Sequence, residues 1–495
     1  MKYYISFTFL FISFAMTGQS RDIAKDTIIR TTHSIEIKGQ NVPYEALAGM
    51  QPVWNKQGDI TATMFFTYYR RTDVKDIATR PIIFSFNGGP GSASVWMHVA
   101  YTGPVVLNID EEGYPIQPYG YKKNPNSILD VADIVYVDPV GTGYSIMLED
   151  KDGKMPDREQ FFGINADIKY LASWMNTFVT RHNRWLSPKY IIGESYGGIR
   201  VMGLSSELQN QQNMYLNGVI MVSPGDYKLL YTGNVLSSVI YIPYFTAVAW
   251  YHKMLSPELQ SKDLLEILPE VEDFALYEVL PALSKGGFIS DTEKQAVAEK
   301  IAYYSGLSKK AVLSENLDVS TSFFWKELLR DKNGMTIGRL DSRYLGIDKK
   351  LSGVSPDYNA EMKSWDHSFT PAINHYIKNV LKFETDIPYG TLNYVGDWDK
   401  RNDNVRESLR LAMAENPYLK VLIQSGYYDG ATTYFQAKQT MWLVDPSGQL
   451  KDRFTFKGYK SGHMMYLRNE DLKNATNDLR EFINNTYRPE KPAKY

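Results

Sequence analysis

A serine flanked by glycines is the residue of this chain whose surroundings most directly suggest chemistry. Ser195 stands in the segment Gly193-Glu-Ser-Tyr-Gly-Gly198, after the apolar strand pattern 189–193 and before the helical pattern 199–210. A turn from strand to helix at this point is sharp and crowded, so it needs glycines, and it lifts the serine hydroxyl above the sheet edge. We therefore predict that Ser195 is a nucleophile; the alternative is a turn without chemistry.

A serine hydroxyl is a weak nucleophile at neutral pH until a base takes its proton, and the base needs an acid that fixes its tautomer. The chain has seven histidines. His463 lies in the glycine-containing loop 461–465, after the late strand pattern 453–456, which is where α/β-hydrolases carry their base. The other six lie in early strands, helical patterns or the central helical region, where packed or exposed histidines are expected. His463 is therefore the predicted base.

The predicted acid is Asp429, which follows the apolar strand pattern 420–425. Functional groups gather at the carboxyl ends of parallel strands, and each of the three residues follows a strand of its own. The alternative for Asp429 is an ordinary turn aspartate beside Gly430. The chain order Ser195, Asp429, His463 is the order of nucleophile, acid and base in α/β-hydrolases, which favours a catalytic triad.

A second glycine-rich segment, Asn87-Gly-Gly-Pro-Gly-Ser92, follows the strand pattern 81–86. Its backbone can approach a ligand closely and present bare N–H groups. We predict that the N–H groups of Gly89 and Tyr196 form an oxyanion hole, worth about 3 kcal/mol per donor. A phosphate loop is the alternative, but no Lys-Ser/Thr pair follows the glycines and no dinucleotide spacing is present. Because no zinc-type His/Glu motif occurs either, we expect neither a metal nor an organic cofactor.

Short apolar strands that alternate with helical patterns predict the fold that positions these residues. Two antiparallel strand patterns come first, at 33–37 and 60–70. The later strands are short and mostly apolar, as is typical of buried parallel strands; they are 81–86, 133–137, 189–193, 216–222 and 420–425. The sequence therefore predicts an α/β fold with a mostly parallel central sheet flanked by helices.

Strand patterns are absent from the sequence between about residue 230 and residue 388, where the apolar residues have helical spacing and serines stand at the predicted helix starts. Strand patterns resume at residue 420, so this region is predicted to be a helical cap inserted into the core. The predicted division is a first core part at 20–229, the cap at 230–388, and a second core part at 389–495.

Composition narrows the class of protein. The 495 residues are 43% hydrophobic and 22% charged, which is typical of a globular protein. The 54 basic and 56 acidic residues give a formal net charge of -2, so no field of one sign is available to hold a nucleic acid. The chain has no cysteine, which excludes disulfides, thiol chemistry and a lipidated cysteine anchor.

The N-terminal residues resemble a signal peptide. Lys2 precedes an apolar run from Tyr3 to about Met16, which is too short to span a bilayer, and small residues follow it. We expect residues 1–19 to be removed near Gly18 or Gln19, leaving no integral membrane span. Export without cysteines suits a bacterial periplasm or exterior. The alternative is a buried N-terminal helix.

Several segments together resemble the serine carboxypeptidase family of the α/β-hydrolase superfamily, and the match covers nearly the whole mature chain. They are the glycine loop 87–92, Asp138-Pro-Val-Gly-Thr-Gly-Tyr-Ser145, the nucleophile turn 193–198, the Asp429 loop and Gly462-His-Met464. The resemblance implies an α/β-hydrolase fold with an inserted helical cap. It also implies peptide substrates with a free C-terminus, from which terminal residues are removed one at a time.

In this family the terminal carboxylate of the substrate is held by the Asn of the glycine loop, by a backbone N–H beside it and by the Glu before the nucleophile. The resemblance assigns these roles to Asn87, Gly88 and Glu194. A glutamate can hold an incoming carboxylate only if a proton is shared between them, so acidic pH would favour binding. The alternative for Glu194 is a carboxylate that only packs the turn.

The chain departs from the family pattern at two positions. Tyr101 stands where the family has a second carboxylate-binding Glu, and Ser85 stands where better-known members have a Trp. The disulfides of the family are absent as well. We expect Tyr101 to donate a neutral hydrogen bond to the substrate carboxylate and to make the pH optimum less acidic.

The predicted protein is a secreted serine carboxypeptidase that works through an acyl-enzyme. Ser195 attacks, His463 shuttles the proton and Asp429 orients the imidazole. One alternative is an esterase or acyltransferase, because an ester can form the same acyl-enzyme and an alcohol can accept the acyl group. A non-catalytic binding protein on the same fold is another alternative, against which the complete triad argues. The sequence does not indicate an oligomeric state.

Overall fold

A ten-stranded β-sheet forms the centre of the computed structural model. The structure describes residues 23–230, 235–401, 403–488 and 492. The predicted signal peptide, residues 1–19, lies outside them, so export of the protein stays a prediction. Among the described residues, no helix is both long enough and apolar enough to span a bilayer.

Fourteen strands lie in the described part of the chain. They are β1 (Thr27–Ile37), β2 (Gln40–Trp54), β3 (Ile60–Arg71), β4 (Ile82–Phe86), β5 (Val105–Leu107), β6 (Tyr121–Lys123), β7 (Asp133–Val137), β8 (Ile146–Met147), β9 (Lys189–Glu194), β10 (Gly218–Val222), β11 (Thr336–Ile337), β12 (Leu345–Gly346), β13 (Lys420–Gly426) and β14 (Phe454–Tyr459).

Seventeen α-helices lie between and after these strands in the same ranges. They are α1 (Val95–Ala100), α2 (Ile164–Arg181), α3 (Tyr196–Gln212), α4 (Tyr227–Leu230), α5 (Val235–Val239), α6 (Ile242–Tyr251), α7 (Pro257–Gln260), α8 (Leu264–Phe274), α9 (Leu280–Ser284), α10 (Asp291–Ser305), α11 (Lys309–Ser314), α12 (Thr321–Glu327), α13 (Arg330–Asn333), α14 (Ala360–His375), α15 (Val405–Glu415), α16 (Tyr434–Val444) and α17 (Asn469–Thr486).

The central sheet has the strand order β1-β2-β3-β7-β4-β9-β10-β13-β14, and β8 pairs with β3. The pairs β1–β2, β2–β3 and β3–β7 are antiparallel, whereas every pair from β7 to β14 is parallel. Strands β4, β7, β9 and β10 are buried throughout, which is why they read as continuous apolar runs. The predicted α/β architecture with a mostly parallel sheet is confirmed.

Helices cover both faces of this sheet. Alternate strand residues contribute to two apolar clusters, one on each face, such as Ile83 and Ile192 on one side and Phe84 and Ile191 on the other. Helices α2, α3 and α15 pack in the second cluster, and α1 and α17 pack in the first. The carboxyl ends of the parallel strands meet at one edge of the sheet.

The segment predicted as a cap, residues 230–388, contributes to two clusters. Helices from α5 to α12 form a third apolar cluster together with Tyr428, Tyr434 and Phe435. Helix α14 instead joins the cluster on the first face of the sheet, where Phe369 packs edge-on against Trp96 with ring centroids 4.5 Å apart. The C-terminal part of the segment thus covers the sheet.

A buried ion pair joins three elements beneath this edge of the sheet. Arg200 of α3 is 1% exposed, and its Nε donates to Asp167 Oδ2 of α2 at 2.7 Å. Its Nη1 donates to the carbonyl of Asn87 at 2.6 Å, directly after β4. Asp167 Oδ2 also accepts a hydrogen bond from Tyr196 Oη at 3.2 Å. This network fixes the first turn of α3 against the loop that follows β4.

Substitution of Asp167 tests how much this network stabilises the fold. Asp167→Ala leaves the charge of Arg200 buried without its counter-charge, so we expect the free energy of unfolding to fall by about 3–5 kcal/mol. The control is Asp26→Ala, which breaks an ion pair of the same length, 2.7 Å to Arg181, whose Asp26 side chain is 46% exposed. That variant should lose less than about 1 kcal/mol. A loss below about 1 kcal/mol for Asp167→Ala in urea denaturation, as small as that of the control, would contradict a stabilising role of the buried network.

Candidate active site

Ser195 sits in a strained turn between β9 and α3. Its backbone has φ +60° and ψ -121°, a region that residues other than glycine rarely adopt. Three hydrogen bonds hold the turn: Ser195 N donates to Val222 O at 3.0 Å, and Ser195 O accepts from the N–H groups of Gly198 and Gly225, both at 2.9 Å. The surrounding backbone therefore imposes a conformation that the serine would not adopt by itself.

Glycine is required at the positions around Ser195 because there is no room for a side chain. A Cβ on Gly193 would lie 2.1 Å from the carbonyl oxygen of Gly197, and one on Gly198 would lie 2.6 Å from Pro224 Cβ. Neither contact is possible for a real side chain. The glycine pattern that predicted the turn is thus explained by the closeness of the neighbouring chain.

The imidazole of His463 is held by Asp429. His463 Nδ1 lies 2.6 Å from Asp429 Oδ2, and the carboxylate is fully buried. Asp429 also accepts hydrogen bonds from Ala431 N, from Thr432 N and from the hydroxyl of Thr432. The hydrogen bond to Nδ1 leaves Nε2 as the imidazole nitrogen that can take a proton.

The environment of His463 favours the charged imidazolium. Burial alone would lower its pKa, but the charge of Asp429 and the hydrogen bond to it outweigh this effect, so the pKa is raised above 6.5. Ser195 and His463 line the same cavity. No hydrogen bond joins their side chains within the described residues, and such bonds often tighten only when substrate is bound.

The glycine loop after β4 packs directly on the nucleophile turn. A Cβ on Gly88 would lie 2.6 Å from Tyr196 N and 2.8 Å from Ser195 Cβ. Gly89 has φ +100°, which glycine adopts without cost. Gly88, Gly89 and Tyr196 line the cavity that also contains Ser195. The structure therefore brings the two residues predicted to supply the oxyanion hole to the same place as the nucleophile.

Glu194, directly before the nucleophile, is a buried acid at the wall of this cavity. Its Oε1 accepts a hydrogen bond from Tyr466 Oη at 2.8 Å, and its Oε2 accepts one from Asn87 Nδ2. Burial raises the pKa of Glu194 to about 7, although the charge of His463 and the hydrogen bond from Tyr466 lower it. Glu194 therefore changes its protonation state near neutral pH.

Asn87 and Tyr101 do not lie where the predicted contacts with substrate require. Asn87 is fully buried behind the cavity wall, where its Oδ1 accepts from Met97 N at 3.2 Å while its Nδ2 holds Glu194. Tyr101 is also fully buried, and its hydroxyl donates to Gln424 Oε1 at 2.6 Å. Neither residue borders the cavity, so the structure does not place Asn87 or Tyr101 for the direct hydrogen bonds to a substrate carboxylate that the sequence predicted.

Tyr466 is the site residue that the sequence did not identify. Its ring stacks on that of Tyr101 with centroids 4.8 Å apart, and its hydroxyl, not that of Tyr101, reaches Glu194. Tyr466 follows His463 closely in the same loop, so proximity to the predicted base was an available signal. Sequence spacing alone does not decide which of two stacked phenols faces the acid.

The cavity has a volume of about 350 Å³. Its walls are mainly apolar or aromatic around the groups already described. They include Trp96, Ile199, Tyr227, Leu340, Met362, Leu392 and Met464, together with one arginine, Arg339. A cavity of this size accommodates one or two residues of a peptide.

Comparison with known proteins identifies similar chains. The family model described as serine carboxypeptidase matches residues 39–442. The retinoid-inducible serine carboxypeptidase of Rattus norvegicus is 28% identical over 284 residues, which is 54% of this chain and 55% of that protein. Serine carboxypeptidase S10 family member 1 of Dictyostelium discoideum is 26% identical over 70% of this chain and 74% of its own length. The chain thus spans about half the length of the rat relative.

A solved structure shows the same fold. The crystal structure of Kex1(delta)p, a prohormone-processing carboxypeptidase from Saccharomyces cerevisiae, superposes with a TM-score of 0.54 at 14% sequence identity. The alignment covers 90% of this chain and 91% of that chain. At this identity the likeness concerns architecture, and it confirms the predicted α/β-hydrolase fold.

The raised pKa of Glu194 predicts how stability depends on pH. Because the folded-state pKa is about 7 and the ordinary value is 4.5, the folded protein holds a proton that the unfolded chain releases. Native stability therefore falls as pH rises from 4.5 to 7, by up to about 3 kcal/mol. Glu194→Gln has no such titrating group and avoids this loss. The free energy of unfolding of the variant minus that of the native protein should therefore increase between pH 4 and pH 8.

The measurement is urea denaturation of both proteins across that pH range. Glu258→Gln is the control, because the Glu258 side chain is 71% exposed and its substitution should not alter the pH dependence. Parallel stability curves for Glu194→Gln and the native protein would contradict a raised pKa.

Proposed function

The chain belongs to the serine carboxypeptidase family, and on this premise we propose that it hydrolyses C-terminal residues from peptides through an acyl-enzyme. The observation that carries the proposal is Glu194, a buried acid with a pKa of about 7 that directly precedes Ser195 and lines the same cavity. A neutral carboxyl group at this place can bind a substrate carboxylate beside the nucleophile.

Acylation uses the triad. Ser195 Oγ attacks the carbonyl carbon of the last peptide bond, and His463 Nε2 takes the hydroxyl proton. Asp429 stabilises the imidazolium through the hydrogen bond to Nδ1. The carbonyl oxygen becomes an oxyanion, to which the N–H groups of Gly89 and Tyr196 donate. When the tetrahedral intermediate collapses, His463 returns the proton to the leaving amine and the C-terminal amino acid departs.

Deacylation repeats these steps with water. The departure of the amino acid leaves space beside His463, which takes a proton from a water molecule as that water attacks the ester of Ser195. The same oxyanion donors stabilise the second tetrahedral intermediate. Its collapse returns the proton to Ser195 Oγ and releases the shortened peptide.

Selection of a free C-terminus depends on the proton of Glu194. The protonated carboxyl group donates a hydrogen bond to the substrate carboxylate, and the Gly88 N–H is the proposed second donor. Tyr466 and Asn87 orient Glu194 from behind, so Asn87 acts by positioning the acid and not by contact with substrate. A deprotonated Glu194 would repel the carboxylate, since two negative groups in contact cannot both stay charged.

Two titrations bound the pH range of activity. His463 must be neutral to act as a base, so activity is lost as pH falls through its pKa. Because this pKa is raised, the acidic limit of activity moves to higher pH. Glu194 must be protonated to hold the carboxylate, and this state is lost as pH rises through about 7. The two groups interact, so the limits belong to the pair. The resulting optimum is less acidic than in a site whose acids have ordinary pKa values.

Paired substrates separate the two titrations. A blocked dipeptide with a free C-terminus and the same dipeptide amidated contain the same scissile bond and need the same neutral His463. The ratio of their kcat/KM values therefore reports Glu194 alone. We expect this ratio to fall about 10-fold between pH 6 and pH 8, as expected for one group that titrates near 7.

Two variants serve as controls for this ratio. Glu194→Gln carries an amide that donates at every pH, so its ratio should stay constant. Ser195→Ala should cleave neither substrate. Equal cleavage of the acid and the amide by the native protein at all pH values would favour the esterase or endopeptidase alternative, and no cleavage of either would favour a binding protein.

The contact between the glycine loop and the nucleophile turn generates a separate prediction. In Gly88→Ala the new methyl group would lie 2.6 Å from Tyr196 N, so the loop must move away and separate the two oxyanion donors. We expect kcat to fall by about 100-fold or more on both substrates. Gly287→Ala is the control, because no heavy atom lies within 4 Å of its Cβ position. A folded Gly88→Ala variant with nearly native kcat would contradict the proposed oxyanion hole.

A further inference from the structure

One charged group in the cavity has no role in the mechanism described above. Arg339 lines the cavity together with Ser195, Glu194 and His463. It is half-buried, and its guanidinium makes no hydrogen bond, ion pair or aromatic contact with any described residue. A guanidinium has five N–H donors, so a partly desolvated one without an acceptor is costly to the free protein.

A guanidinium without such a contact is unusual among the arginines of the described residues. Arg343, in the same segment, is 2% exposed and pairs with Asp341 at 2.7 Å. Every other arginine in the described ranges contacts a carboxylate, a backbone carbonyl or an aromatic ring. Arg339 is thus the exception, and it occurs at the wall of the substrate cavity.

The backbone that carries Arg339 is fixed from both sides. Arg339 O accepts from Gly430 N at 3.0 Å, beside the proposed acid, and Leu340 O accepts from His463 N at 2.7 Å. Leu340 N donates to Glu361 Oε1 at 2.8 Å, while Glu361 Oε2 is buried without a hydrogen-bond partner. The positive charge of Arg339 acts on this carboxyl group from a distance, but no ion pair joins the two side chains. Arg339 is therefore positioned by the same two loops that position the triad.

Among the described residues that line the cavity, no carboxylate pairs with Arg339. Glu194, the other charged group of the wall, is held by Tyr466 and Asn87. Asp429 is fully buried and bound to His463 and Thr432. A planar guanidinium binds a carboxylate through two parallel hydrogen bonds, and this pairing is among the strongest in proteins.

We propose that Arg339 binds a carboxylate of the peptide substrate and is a specificity-determining residue of this site. The proposal rests on the proposed peptidase function. The carboxylate has two possible sources, an acidic side chain next to the scissile bond or the terminal carboxylate itself. Either source supplies the acceptor that the free protein lacks.

Binding to the Ser195→Ala protein tests the proposal without catalysis. Titration calorimetry would compare blocked dipeptides that differ by Glu against Gln at the terminal or the penultimate position, each as free acid and as amide. If a side chain is the source, Glu binds at least about 10-fold tighter than Gln at one position, and adding Arg339→Gln removes this preference. Arg339→Lys keeps the charge without the planar fork and should retain part of it.

If the terminal carboxylate is the source, Arg339→Gln weakens all free acids about equally and leaves the amides unchanged. Arg410→Gln is the matched control, since Arg410 lies on α15 and pairs only with Glu407; it should change no affinity. Thermal unfolding of each variant shows whether it is folded. If Arg339→Gln and Arg339→Lys both bind every peptide as the parent does, the proposal is overturned.

Turnover by the protein with an intact Ser195 separates this inference from the proposed function. If the neutral dipeptide acid is cleaved, the peptidase function holds whatever Arg339 does. If neither the neutral dipeptide acid nor the dipeptide acids with Glu are cleaved, the peptidase function fails, while the calorimetric comparison still decides whether Arg339 binds a carboxylate.

Discussion

The contact between the glycine loop and the nucleophile turn is the constraint on which the rest of the site depends. Gly88 lies so close to Ser195 and Tyr196 that not even a methyl group fits between them. This closeness places the proposed oxyanion donors, the nucleophile and Glu194 around one small volume. It is maintained from below by Arg200, which binds both the loop carbonyl of Asn87 and Asp167 of α2. The strained backbone conformation of Ser195 is maintained because the glycine loop and the nucleophile turn are packed against each other and cannot move separately.

Two buried acids within this site have different environments and hence different proposed roles. Asp429 accepts hydrogen bonds from two backbone N–H groups, from a hydroxyl and from His463. Glu194 has two donors and is buried in a wall rich in aromatic groups, so its pKa rises to about 7. The site thus contains one acid suited to stabilise an imidazolium and another suited to share a proton with a substrate. Environment, not residue type, makes the difference.

The triad residues could be predicted because each follows a parallel strand, and the carboxyl ends of such strands converge. Strand patterns before Ser195, Asp429 and His463 were sufficient to bring them together, although these residues are far apart in the chain. The glycines could be predicted for a steric reason that holds in any turn of this shape. The fold class followed from the same alternation of strands and helices.

The residues that were not predicted depend on side-chain reach and on the course of long loops. Tyr466 and Tyr101 stack on each other, and only their relative depth decides which hydroxyl meets Glu194. Arg339 comes from the segment between α13 and α14, whose path no periodicity indicates. The packing of α14 on the sheet likewise depends on contacts such as that between Phe369 and Trp96. Tertiary packing, not local pattern, sets these positions.

Covalent labelling measures directly whether Ser195 is a nucleophile that His463 activates. A fluorophosphonate reacts with an activated serine hydroxyl, and mass spectrometry of the digested protein locates the adduct. We expect one adduct, on Ser195, which disappears in Ser195→Ala and forms far more slowly in His463→Ala. Labelling of another serine, or labelling of Ser195 at the same rate without His463, would contradict the account.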